Sequence, residues 1–184
     1  GGGAGPGHVG EVRADPRRDR GQQLAPLEPA ELGAGGGAER VGLAVAARAA
    51  VSHEVQLVDG AKLPVVPVQD WADSAVPVAQ HTALVGRDAS FKSVVVTFGG
   101  DVVRLHPRVI YGGPGGEAEL FGLYFTDQGQ HQEHRLFIDH DTPHCRSNVA
   151  YKGALQGQDA HAVWIGDVLI RAAAEGTDTY EMNR

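Results

Sequence analysis

Cysteine is nearly absent from this chain: Cys145 stands alone among 184 residues. A single thiol cannot close an internal disulfide, which fits a reducing cytosol and predicts a cytoplasmic protein. Apolar runs of about 18 residues or more are missing too, so no membrane-spanning helix is expected. Basic residues are few, with 16 Lys and Arg against 23 Asp and Glu. The resulting net charge of −7 argues against a nucleic-acid-binding protein, which normally carries a basic face.

Nucleotide-binding loops and helical periodicity are also missing. The glycine-rich stretch "GGPGGEAE" (112–119) has neither the Lys-Ser/Thr end of a P-loop nor the G-x-G-x-x-G order of a dinucleotide loop. It is therefore expected to be a turn between strands, as is "FGGD" (98–101). No segment after residue 55 has apolar residues at a helical period, so the chain is predicted to be all-β.

Two regions differ in composition. Residues 1–54 are rich in Gly, Ala and Arg and poor in aromatic and β-branched residues. Such a segment buries too little apolar area to offset its ordering entropy, so disorder is expected there, with at most a short helix around the alanines. Residues 55–184 consist of short strand-like runs separated by Gly, Asp and Pro, and they are predicted to form the folded core.

The clearest strand is "DVVRLHPRVIY" (101–111), where apolar and polar residues alternate. Similar patterns occupy 93–98, 119–125, 134–139, 148–155 and 161–170, whereas Pro64 and Pro67 predict an edge or an interruption within 61–71. Turn-like positions recur at a step of about 29 residues, at Asp59, Asp88, Glu117, Arg146 and Glu175. A period of this length favours a stacked β-solenoid. A parallel solenoid also explains strands that are apolar on both faces, because a partner can cover the outer side.

Candidate metal ligands crowd into a short segment, namely His131, His134, His140, His144 and Cys145. Imidazole and thiolate bind zinc or iron, but the spacing H-x2-H-x5-H-x3-H-C matches no zinc motif that has a geometric basis. One cysteine cannot hold an iron–sulfur cluster by itself, because such clusters usually need four thiolates. The structural interpretation is that these are polar positions on a strand and at turns. His144 and Cys145 are kept as the candidate metal residues, and a small cupin-type metal domain using the first three histidines is an alternative.

Catalytic hypotheses have less support. A nucleophilic Cys145 needs a histidine and an aspartate within hydrogen-bond reach, which adjacency along an extended strand does not supply. A β-helix carbohydrate-active enzyme needs paired carboxylates, and Asp127, Asp139 and Asp141 show no convincing pairing. No catalytic residue is therefore predicted. Trp71 and Trp164 are expected in the core, and Asp167 and Arg171 are expected to form a surface ion pair or to be exposed.

Several motifs together resemble a known family. They are "QHQEHRLFIDHDTPHCRSN" (130–148), "YKGAL" (151–155), "VWIGDVLIRAAAEGTDTYEMNR" (163–184) and, more weakly, "VTFGGDVVRLHP" (96–107). In this order they resemble the SufB/SufD family of SUF-system iron–sulfur cluster assembly proteins, nearest to SufD, over about residues 55–184. The resemblance implies a right-handed parallel β-helix, here truncated because the family continues beyond "TYEMNR".

The resemblance also implies a function. The chain is expected to be a non-catalytic scaffold subunit that pairs with SufB along their β-helices. It would engage the ATPase SufC through regions mostly missing here, and it would serve apoprotein cluster acceptors indirectly. No cofactor is expected to bind this chain stably, although an iron–sulfur cluster would be held transiently in the complex, by ligands expected beyond Arg184. A truncated solenoid exposes strand edges, so poor solubility without a partner is also expected.

Overall fold

Residues 40–43 and 48–184 are described by a computed structural model of the chain, and for residues 40–47 no side chain is described. Every regular element among them is a β-strand. Strands β1 to β12 are Arg40–Leu43, Arg48–Leu57, Lys62–Val65, Val68–Trp71, Val76–Val85, Ser90–Gly99, Val102–Tyr111, Glu117–Thr126, His131–His140, Arg146–Leu155, His161–Ile170 and Asp178–Asn183. No helix in this described part is long and apolar enough to cross a membrane.

The strands form two parallel sheets. A seven-stranded sheet has the order β1-β4-β6-β8-β10-β12, with β3 also paired to β6, and a five-stranded sheet has the order β11-β9-β7-β5-β2. Apart from β3 and β4, which both lie in the seven-stranded sheet, the chain alternates between the sheets from one strand to the next, and each strand pairs with its counterpart about one repeat away. This arrangement is a flattened parallel β-solenoid, so the predicted all-β solenoid fold is confirmed.

The predicted repeat is close to the true register, but its length is not constant. Glu117 pairs with Arg146 at the expected step, whereas the step from Ser90 to Glu117 is shorter by two and the step from Arg146 to Asp178 is longer by three. The difference lies in the turns, because the paired strands β6, β8 and β10 each contain 10 residues. Turn length therefore varies while the sheets keep their pairing.

Alternation along the strands places one row of side chains between the sheets. In β7, Val103, Leu105, Val109 and Tyr111 are buried while Arg104 is exposed, as the sequence predicts. The main core runs through both sheets and includes Phe91, Leu120, Leu136, Ile138, Val149 and Tyr151. Trp71 is buried and Trp164 packs against the core, so both tryptophans lie where the sequence places them.

The segment around the two early prolines is interrupted, as expected. β3 ends at Val65 and β4 begins at Val68, and both pair with β6. Pro67, between them, still accepts a hydrogen bond at its carbonyl from the Val96 amide at 3.0 Å. Proline lacks a donor but keeps its acceptor, so the interruption costs the neighbouring strand little.

Strand pairing begins before the boundary expected at residue 55. β1 pairs with β4, and β2 starts at Arg48 and pairs with β5 along its whole length. Parallel pairing supplies the backbone hydrogen bonds that composition alone does not predict for an alanine-rich stretch. The disorder expected of residues 1–39 and 44–47 lies outside the described residues.

Candidate functional site

The turns that lead from the five-stranded sheet into the seven-stranded sheet share one backbone shape. A left-handed residue recurs in successive turns, at Gly60, Asp88, Gly115, His144 and Gly176, with φ between 52° and 74°. The amide of each turn donates to the next one: Gly115 N–H bonds the Pro143 carbonyl at 3.2 Å, and His144 N–H bonds the Glu175 carbonyl at 2.8 Å. His144 therefore occupies a stacked turn position at which three other turns have glycine.

Cys145 follows that position and points inward. Its side chain is 0% exposed, and Sγ lies 3.2 Å from Thr142 Oγ1 and 3.5 Å from the Gly113 carbonyl oxygen. Ala61 and Ala89 follow the left-handed residue in two earlier turns, so a small inward residue is usual at this position. His144 is exposed, so the two neighbouring side chains diverge. Their assignment as metal residues stays a prediction.

The histidines of "HQEHRLFIDH" do not share a face. His134 and His140 are fully buried between the sheets, whereas His131 lies on the outer surface of β9. Because consecutive strand residues alternate in direction, an odd and two even positions cannot converge on one ion. Within residues 40–43 and 48–184, no group of three or more His, Cys, Asp or Glu side chains is arranged to hold a metal ion.

The interior instead uses the two even-numbered histidines as packing and hydrogen-bonding groups. His134 Nε2 lies 3.0 Å from Thr97 Oγ1, and its ring packs on Tyr124 at 5.0 Å and Tyr151 at 5.9 Å between centroids. Burial lowers the pKa of His134 to about 4, because the charged imidazolium is poorly solvated there. His134 is neutral at physiological pH.

A second interior group surrounds His140. Its ring stacks on Tyr111 at 4.7 Å, and Nε2 lies 3.0 Å from Ser147 Oγ, which in turn lies 2.6 Å from Thr179 Oγ1. Burial lowers the pKa of His140, against the opposing pull of Asp139 and Asp141. The chain of contacts from His140 through Ser147 to Thr179 runs from β9 in the five-stranded sheet to β10 and β12 in the other sheet. It therefore links neighbouring rungs, that is, successive turns of the solenoid.

Glycines opposite tyrosines explain part of the "YKGAL" motif and its counterpart in β8. Gly122 pairs with Tyr151 across β8 and β10, and Gly153 pairs with Tyr124 across the same two strands. A Cβ at either glycine would collide with the tyrosine ring beside it. The "YKG" of β10 and the "GLY" of β8 are thus complementary, since each tyrosine covers the glycine of the other strand.

Carboxylates on the outer face of the five-stranded sheet are held by arginines. Glu133 binds Arg135, and its Oε2 lies 2.9 Å from Arg104 Nη2. Its burial opposes ionisation, but the hydrogen bonds from these two arginines outweigh that effect and lower the pKa of Glu133. Asp139 accepts two hydrogen bonds of 2.8 Å from Arg171, which lower its pKa.

These pairings bear on two expectations from the sequence. Asp167 and Arg171 are both exposed, which is one of the two arrangements expected of them; the other, an ion pair between them, is not formed, because Arg171 bonds Asp139 on the neighbouring rung. Asp139 therefore forms its ion pair with an arginine. Asp127 is an exposed turn residue whose Oδ1 accepts a hydrogen bond from the Gln128 amide. No carboxylate pair flanking a cleft is formed by Asp127, Asp139 and Asp141.

The outer side of the seven-stranded sheet carries what we call the apolar face: Val94, Val96, Phe98, Phe121, Leu123 and Phe125. Leu123 is 52% exposed, Phe98 44% and Phe125 38%. Leu123 pairs with Val96, and Phe121 pairs with Val94, so the members are neighbours across β6 and β8. Towards the start of the strands the surface becomes polar, with Lys92 bound to Glu119 at 3.1 Å.

Contiguous exposed apolar surface with a polar margin is typical of a protein–protein contact. In the sequence this face is indicated by "ELFGLYF" (119–125), because odd and even positions, which lie on opposite faces of a strand, are both apolar there. The sequence does not say which of the two sets is exposed. The described part of the chain thus combines a parallel solenoid with an apolar outer face, and Glu133 and Asp139 are paired with arginines while His134 is neutral. A parallel β-solenoid with an exposed apolar face is therefore the class of protein that the fold and this surface define.

Residues 39–184 match the family described as "SUF system FeS cluster assembly, SufBD core domain". The chain belongs to this family. It is 56% identical over 130 residues to an iron-sulfur cluster assembly SufBD family protein of Mycobacterium leprae, an alignment that covers 67% of this chain and 33% of that protein. It is likewise 56% identical over 132 residues to a protein of the same description from Mycobacterium tuberculosis, covering 68% of this chain and 33% of the relative. The chain spans about a third of the length of these curated relatives, and no solved structure matches it.

Proposed function

We propose that this chain is the core segment of a scaffold subunit in iron–sulfur cluster assembly, nearest in kind to SufD. Membership of the SufBD core family supports the assembly role. In this proposal the subunit is not an enzyme, ATP hydrolysis belongs to SufC, and the iron–sulfur cluster is cargo that the complex holds transiently on its way to apoproteins. The proposed place of action is the cytoplasm, which suits a chain with one cysteine.

The apolar face is the observation that carries the partner proposal. We assign it to contact with the β-helix of SufB, because two flat parallel sheets can pack face to face with alternate side chains interdigitating. Phe98, Leu123 and Phe125 are large enough to act as anchors, and the Lys92–Glu119 pair lies at the polar margin. SufC contact is assigned to parts of the subunit outside this chain.

Co-expression with SufB, with SufD or with SufC, each from the source organism, tests the proposal. We expect SufB to be captured by the tagged chain. Capture of SufD in place of SufB would show instead that the chain is the SufB-like member of the pair. Capture of neither would overturn the scaffold assignment for this segment.

A matched pair of substitutions tests the surface itself. Leu123→Lys places a charge in the middle of the apolar face, and we expect it to abolish SufB capture because a buried unpaired charge is costly. Val78→Lys is the control, since Val78 is 48% exposed but lies on the opposite sheet. Equal loss of capture in both variants, with circular dichroism unchanged, would refute the assignment of the face.

A further inference from the structure

Two histidines face each other on the outer surface of the five-stranded sheet. His131 and His161 are register partners on the adjacent strands β9 and β11. Their Nδ1 atoms are 2.7 Å apart, their ring centroids 4.8 Å apart, and the ring planes are inclined by 34°. His161 is exposed and His131 partly so, and both rings are accessible to solvent. Neither residue has a role in the proposed docking surface, which is on the other sheet.

We propose that His131 and His161 form a two-histidine site for a divalent late transition metal ion, such as Ni²⁺, bound through both Nδ1 atoms. Nitrogen ligands lie about 2.0–2.1 Å from such an ion, so two of them are about 2.9 Å apart at a 90° angle and about 3.3 Å apart at a tetrahedral angle. The observed 2.7 Å, which is a hydrogen bond between the two rings before any ion binds, is closer to the first value. The two rings would therefore move less to bind a tetragonal or octahedral ion than to bind tetrahedral zinc, and Ni²⁺ is the ion chosen for the test.

A carboxylate supports one of the two ligands. Glu133 lies two residues beyond His131 on the same face, and its Oε2 is 3.7 Å from His131 Nε2. Arg104 and Arg135 hold this carboxylate in place. A histidine that binds a metal through one nitrogen commonly has a carboxylate at the other, which fixes the tautomer and the ring orientation. At 3.7 Å the Glu133 carboxylate is beyond hydrogen-bond distance, so it would favour the Nε2–H tautomer of His131 through its charge. The proton shared between the two Nδ1 atoms would then move to Nε2 of His161 when the ion binds, and water would complete the coordination.

The pair also connects two rungs of the solenoid. A bound ion would link β9 to β11 outside the backbone ladder, and because it binds the folded state alone it would raise the thermal stability of the chain with metal concentration. This inference concerns residues that the proposed assembly role does not use, so either can fail without the other.

Titration of the untagged chain with NiCl2, followed by calorimetry, tests the site. We expect one Ni²⁺ to bind, and His161→Gln or His131→Gln to weaken its affinity by at least about tenfold, because even a lost supporting carboxylate costs about 10- to 100-fold. His106→Gln is the matched control, since His106 lies on the same sheet in the neighbouring strand β7 and should leave the affinity within about twofold.

A second measurement separates ligand loss from misfolding. In NMR spectra of the wild-type chain, paramagnetic Ni²⁺ should broaden the imidazole signals of His131 and His161 before those of the other histidines. Wild-type affinity equal to that of the double variant His131→Gln/His161→Gln, or broadening that begins at other histidines, would overturn the proposal.

Discussion

Lowering the pH from about 7.5 to about 5 should destabilise the folded chain by about 2 kcal/mol through one side chain, His134. The pKa of His134 is lowered from 6.5 to about 4 by burial. Between these two pH values the unfolded chain binds a proton at His134 that the folded chain excludes. The contribution of neutral His134 to the free energy of unfolding is therefore complete above pH 6.5. It is lost as the pH falls towards 4.

The structure explains why the proton is excluded. His134 is 1% exposed, and Nε2 is engaged with Thr97. Nδ1 has no hydrogen-bond partner among the described residues, so a proton added there would meet no acceptor. The full shift from 6.5 to about 4 corresponds to about 3 kcal/mol, of which about 2 kcal/mol is lost by pH 5.

Urea unfolding followed by circular dichroism, at both pH values, measures the effect as a change in the free energy of unfolding. His81 and His140, whose pKa values are also lowered, add to the wild-type loss, whereas Glu181, whose pKa is raised, opposes it. The decisive comparison is therefore His134→Gln, whose loss between the two pH values should be about 2 kcal/mol smaller than that of the wild type. Equal losses in the two proteins would refute the reasoning.

Three further predictions concern the interior. Gly122→Ala should reduce the free energy of unfolding by about 1–3 kcal/mol, because its Cβ collides with the Tyr151 ring. Adding Tyr151→Leu should cost less in that background than in the wild type, and additive urea midpoints would contradict the contact. Cys145 should resist an aromatic disulfide reagent in the folded chain and react in urea, since its thiol is 0% exposed; fast labelling of the folded chain would argue for an open turn. Cys145→Ala should cost no more than about 1 kcal/mol, since alanine fills the equivalent position in other turns.

Much of the fold could be predicted from the alternation of apolar and polar residues along the sequence. The run 161–170 coincides with β11, and β7 begins one residue after the predicted start. The direction of His134 and His140 was also readable, because they share parity with the buried Leu136 and Ile138. Reading parity along β9 would have divided the histidine cluster into inner and outer members without a structure.

Contacts between rungs could not be read in the same way. The constant step of the predicted repeat, counted from His131, arrives at Ala160, but the true partner is the next residue, His161. An error of one residue moves every side chain to the other face of a strand, so a loose repeat cannot predict cross-rung pairs. The Asp139–Arg171 pair was missed for the same reason, since its residues lie 32 apart and one of them is in a turn.

The variable turn length has a consequence for how the chain folds. Closing a loop of about 29 residues costs about 3 kcal/mol of entropy, and steps of about 26 and about 32 residues differ by only about 0.2 kcal/mol. Every rung after the first pair therefore faces nearly the same closure cost, while the strand already in place offers a ready edge for its backbone. Folding should begin in a small nucleus of rungs and spread along the axis. Formation of the first stacked pair is then the slow step, and each later rung adds to the end of the solenoid that is already folded.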